Sequence, residues 1–365
     1  MSKKLKQAQE KTEAAIKETN RRIEELGTKA EELYNKLNDL QAQFDKIRNI
    51  PNDKKLEYQR LQEVRIEWKQ QAEKIEADYK KTTIKTAGKG AAGVGAGVAV
   101  VTMGPTAAMG VATTFGVAST GTAISSLSGA AATNAALAWL GGGALAAEGG
   151  GMAAGEAFLA LAGPVGWTIA GVALLSSGLM LVKVKKDRNR LEDIYCLISE
   201  RDQKKYDLAS IELDERNIRI IDENEKLGIA LEKTITFGTN YKKMTEAQQF
   251  ELGSYVNLMS ASTQLLINPI LGLKPDYSDA DFESFISDLD EDKKVLYKDY
   301  KEGIVSICNL IYGIELDEKD KTLLDKSLKK NKKYISSFNI SKKEFKENEI
   351  LDTSISALKF KKGNE

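Results

Sequence analysis

Length, charge and composition exclude several classes of protein. The chain has 365 residues with 53 basic and 53 acidic side chains, so its formal net charge is zero. That balance argues against a dedicated nucleic-acid-binding protein, and we expect no nucleic acid among its partners. The sequence contains no histidine, so the usual general base and the commonest metal ligand are missing. We therefore expect a protein that is not an enzyme, with no catalytic residues, no metal, no cofactor and no small-molecule substrate.

The N-terminus and the cysteines indicate the compartment. Residues 1–7 are polar and helical in character rather than apolar, so we expect synthesis in the cytoplasm without a signal peptide. Cys196 and Cys308 lie far apart in the sequence, which is typical of a reducing compartment or of simple core packing.

The first 48 residues have the pattern of one long helix. Apolar residues recur at alternating spacings of three and four, and the positions between them are almost all charged or amide. This seam favours a coiled coil, and a solvated helix packed on its own domain is the alternative. The seam consists of Ile23, Leu26, Ala30, Leu33, Leu37, Leu40, Phe44 and Ile47.

A proline separates the first two predicted helices. Pro51 disfavours helix at the residue before it, and the Asn and Asp that follow it are favourable caps for a new helix. The second helix is predicted over residues 54–83, where Leu61, Trp68 and Ile75 are seven apart. The two helices form either an αα-hairpin or one kinked rod, and the sequence leaves both open.

Residues 90–182 are almost free of charge. These 93 residues include only two charged side chains, and 21 of the chain's 29 glycines lie among them or just before them. A soluble domain of this size needs charged side chains on its surface. We therefore predict contact with a lipid bilayer; a Gly/Ala-rich buried core or a flexible low-complexity segment is the alternative.

Three parts of this apolar segment are candidate membrane spans. Residues 157–182 are the strongest, because these 26 residues carry no charge and about 20 suffice to cross a bilayer. Residues 122–147 are weaker because they include polar residues, and residues 91–118 are interrupted by Gly104 and Pro105. The residues predicted to insert are Trp167, Ile169, Leu174, Leu175 and Leu179.

The charges in and around the segment predict its orientation. Glu148 and Glu156 lie among glycines between the two best span candidates, so we predict the tip of a helical hairpin there; an ordinary polar loop between buried helices is the alternative. Both flanks are basic, and basic flanks stay on the cytoplasmic side, so an even number of crossings is predicted. The flanking residues are Lys85, Lys89, Lys183, Lys185 and Lys186.

The chain beyond the apolar segment is predicted to be helical again. A third long helix covers about residues 187–235, and its length, similar to that of the first helix, suggests antiparallel packing of the two. A turn containing Pro269 and Pro275 precedes Ser278, a predicted helix N-cap. The apolar stripe of the third helix consists of Leu191, Ile194, Ile198, Leu208, Ile211 and Ile218.

Two short motifs are better explained by ordinary structure. Residues 88–93 match G-x-G-x-x-G, but no strand precedes them and no acidic residue follows at the required distance for a dinucleotide site. Asp288, Asp290 and Asp292 have the spacing of an EF-hand loop, but Gly at the sixth position and Glu at the twelfth are missing.

The order of these segments resembles that of α-helical pore-forming toxins. A long coiled-coil helix, an apolar insert over residues 88–182, a second long helix and a helical remainder follow one another as in the cytolysin A and haemolysin BL group. The resemblance covers roughly residues 1–235 and carries no individual functional residues. The insert is longer than the hydrophobic tongue of that group, and such a long Gly/Ala-rich zone is also similar to colicin-like and apolipoprotein-L-like channel formers.

The sequence therefore predicts an all-α protein whose long coiled-coil arms bracket a membrane-inserting apolar hairpin. The expected function is that of an oligomeric pore former or membrane-permeabilising effector that reaches the membrane from a soluble form. The alternative is a constitutive membrane-anchored scaffold or tether that binds a coiled-coil partner. The predicted domains are residues 1–83 (coiled-coil helices), 84–182 (membrane segment), 183–236 (third long helix) and 237–365 (C-terminal helical region).

Overall fold

The computed structural model describes residues 2–90, 105–115, 184–273, 275–330, 335 and 340–364. These residues are predominantly helical and form no strands, which confirms the all-α class. The helices are α1 (Lys3–Asp45), α2 (Asn52–Gly90), α3 (Pro105–Phe115), α4 (Lys185–Thr236), α5 (Glu246–Ile267), α6 (Asp279–Ser287), α7 (Glu291–Asp299), α8 (Lys301–Ile311), α9 (Glu318–Lys330), α10 (Lys342–Glu347) and α11 (Ile350–Asn364).

The two longest helices, α1 and α4, lie side by side and run in the same direction. Near the start of both helices the backbone N–H of Ser2 donates to Glu192 Oε2 at 3.0 Å. Beyond their far ends, the N–H of Arg48 donates to the carbonyl of Thr239 at 2.9 Å. The predicted antiparallel packing of these helices is therefore wrong. A parallel arrangement results because α2 leads the chain back before α4 begins.

Helix α2 folds back on α1 as an antiparallel hairpin. The rings of Phe44 and Tyr58 are 5.4 Å apart near the turn, and those of Tyr34 and Trp68 are 5.4 Å apart further along. With increasing distance from the turn, the paired residue numbers decrease along α1 and increase along α2. The turn includes Asn49, whose φ of 64° is accessible to asparagine. Of the two arrangements that the sequence leaves open, the structure has the hairpin.

Helix α5 runs antiparallel to α4 and completes a four-helix bundle. Lys233 Nζ pairs with Glu251 Oε1 at 2.6 Å, and Ser262 Oγ donates to Glu223 Oε2 at 2.7 Å. The interior of this bundle contains the whole apolar seam of α1. Its residues are at most 7% exposed: Ile23, Leu26, Ala30, Leu33, Leu37, Leu40, Phe44 and Ile47.

The apolar stripe predicted on the third helix is divided between two opposite faces of α4. Leu191 and Ile198 are buried, whereas Ile211 and Ile218 are 65% and 67% exposed. The buried face continues instead through smaller or polar residues such as Ala209. The predicted single stripe is therefore not one face: Leu208, Ile211 and Ile218 are exposed, because the side of α4 that faces the bundle depends on where α1 and α5 lie.

The C-terminal helices form a second apolar core around the start of the bundle. Leu5 on α1 and Leu191 on α4 belong to this core together with residues from α6 to α11. Ser278 caps α6 in a reciprocal pair of hydrogen bonds with Asp281, as predicted for this N-cap. Cys196 and Cys308 are both free thiols in this core.

Candidate functional site

Helix α3 is the part of the apolar segment that the structure describes, and it lies within the candidate span at residues 91–118. It begins at Pro105, a residue preferred in the first turn of a helix. It packs on α1, α2 and α5 rather than standing free. Its buried apolar residues are Ala108, Met109, Val111 and Ala112.

Two glycines allow α3 to lie against α1 with their backbones in contact. A Cβ atom added at Gly27 would lie 1.9 Å from the carbonyl oxygen of Thr106, and one added at Gly110 would lie 2.1 Å from that of Ile23. Residues 23 and 27 thus face residues 110 and 106, so α3 is antiparallel to α1. Close approach of this kind requires a residue without a side chain at the contact.

The end of α3 is fixed to the segment that follows α5. The backbone N–H of Ile270 donates to the carbonyl of Thr114 at 2.6 Å, which satisfies one of the carbonyls that a helix end leaves free. The hydroxyl of Thr114 donates to Gly110 O at 2.8 Å. The buried hydroxyl of Thr113 has no hydrogen-bond partner among the described residues. The contact of α3 with the bundle is therefore mainly apolar.

The bundle interior also contains a buried arginine without a carboxylate partner. Arg65 is 0% exposed, and its Nη atoms donate to Gln41 Oε1 at 3.1 Å and to Thr263 Oγ1 at 3.4 Å. No ion pair to Arg65 is present among the residues that the structure describes, and its Nε has no acceptor there. Burial lowers the pKa of Arg65 to about 10. The charge therefore costs stability in the folded state.

The other residues predicted to meet the membrane fall mainly outside the described ranges. These are the inserting residues Trp167, Ile169, Leu174, Leu175 and Leu179, the tip residues Glu148 and Glu156, and the flanking Lys183. Lys85 and Lys89 lie in the last part of α2. Lys185 and Lys186 lie in the first turn of α4 and are exposed to solvent. Among the helices of the described ranges, none combines the length and the apolar character needed to span a bilayer.

The sequence interpretation missed the glycine contact and Arg65. Gly27 lies next to the seam residue Leu26, inside a long helix, where a glycine costs about 1 kcal/mol relative to alanine. A glycine at such a position indicates that another helix packs closely there, and this could have been read from the sequence. No comparable signal marks Arg65, because charged residues occur throughout α2.

Comparison with known proteins gives no relative. No protein-family model matches the chain, and neither a curated protein nor a solved structure does.

Proposed function

We propose that this protein acts on membranes by inserting part of its apolar segment into the bilayer, as an oligomeric pore former or membrane-permeabilising effector. The observation that carries the proposal is the packing of α3 against the bundle. A protein that passes from water into lipid has to cover its apolar segment before insertion, because a large exposed apolar surface leads to aggregation. Helix α3 comes from that segment, and its residues Ala108, Met109, Val111 and Ala112 are covered in this way.

The course of the helices next to the segment supports the proposal. Helix α2 runs back toward the start of α1, and α4 begins beside the start of α1. The chain therefore enters the apolar segment and leaves it near the same end of the bundle. If the segment inserts as one hairpin or as a pair of hairpins, α2 and α4 both stay on the same side of the membrane.

The basic residues at both borders support the same topology. Lys85 and Lys89 precede the apolar segment, and Lys183, Lys185 and Lys186 follow it. Lysines at the ends of a span favour the side with anionic lipids and oppose translocation. Only two carboxylates, Glu148 and Glu156, would have to cross in a hairpin.

Fractionation followed by liposome flotation tests the proposal. We expect the expressed protein to stay in the supernatant after ultracentrifugation without detergent and then to float with liposomes that contain anionic lipids. A constitutive membrane anchor would need detergent from the start. A soluble interaction protein would remain in the supernatant and would not float, which would overturn the proposal.

A further inference from the structure

We draw no further inference here: the strongest candidate, the exposed apolar patch of Leu208, Ile211 and Ile218 on the side of α4 that faces away from the bundle, carries nothing because no feature of the described residues shows what would cover it.

Discussion

Gly27 on α1 and Gly110 on α3 face each other so closely that neither position has room for a methyl group. The carbonyl oxygens of Thr106 and Ile23 occupy the places that the two Cβ atoms would take. The contact is made by backbone, so it cannot adapt by a change of side-chain rotamer. The position of α3 on the bundle therefore depends on these two glycines.

Gly110→Ala should detach α3 from α1. The new methyl group would meet Ile23 O at 2.1 Å, and overpacking of this kind costs about 1–3 kcal/mol. We expect faster hydrogen exchange of the backbone amides of residues 106–115, measured by mass spectrometry, with α1 and α4 still protected. Flotation with liposomes should increase, because detachment uncovers apolar residues.

Gly228→Ala is the matched control for this substitution. Gly228 also lies inside a long helix, but a Cβ there would have no neighbour within 4 Å. It should leave the exchange of α3 unchanged and stabilise the fold slightly through helix propensity. Equal exchange of α3 in the Gly110→Ala variant and the wild type would contradict the role given to the glycine contact.

Arg65→Met should stabilise the folded protein. The folded state disfavours the charged guanidinium, since burial lowers the pKa of Arg65 to about 10; the penalty is present at every pH below that value and is relieved as pH rises through it. Replacement of a buried ion pair by apolar side chains is often neutral or gains about 1–4 kcal/mol. Arg65 lacks a carboxylate partner among the described residues to offset its desolvation, so we expect a gain here too, reduced by the loss of the hydrogen bond to Gln41 Oε1. Urea unfolding at neutral pH measures the change.

Arg216→Met provides the contrast to Arg65→Met. Burial also lowers the pKa of Arg216, but its guanidinium donates to the carbonyls of Leu265 and Asn268 at 2.7 and 2.8 Å. Its loss leaves those carbonyls without this donor and should destabilise the protein by about 1–3 kcal/mol. If both substitutions shift the urea midpoint in the same direction, the account of Arg65 is wrong.

Leu33→Ser with Leu37→Ser should destabilise the bundle. Both side chains are fully buried, and truncation of a buried leucine typically costs about 2–5 kcal/mol at each site. We expect a lower melting temperature by circular dichroism. Leu56→Ser is the control because Leu56 is 59% exposed. A double variant with the same melting temperature as the wild type would exclude a structural role for the seam.

Glu148→Gln with Glu156→Gln should speed insertion at neutral pH. An ionised carboxylate that crosses hydrocarbon costs a few kcal/mol, and protonation removes most of that cost. Wild-type insertion should therefore quicken as pH falls toward about 4 to 5. The Gln variant should insert at neutral pH at the rate that the wild type reaches in acid. Rates that depend on neither pH nor these substitutions would remove the two residues from the insertion model.

The sequence predicts the helices well because their evidence is local. The seam of α1, the break at Pro51 and the cap at Ser278 depend on residues within a few positions of one another. The direction of α4 relative to α1 could not be predicted, because an apolar stripe has the same appearance in either direction. The contact of Gly27 with Gly110 joins residues 83 positions apart, and the exposure of Ile211 depends on where α1 and α5 lie.

Dye release from liposomes, compared between the wild type and Ile169→Arg, tests the central claim most directly. A charge at the centre of a span costs about 2.5–3.5 kcal/mol on insertion, so we expect the wild type to release dye and Ile169→Arg to be slower by roughly two orders of magnitude. Ile169→Val should release dye like the wild type. The account would be contradicted by intact liposomes with the wild type, or by equal release with Ile169→Arg.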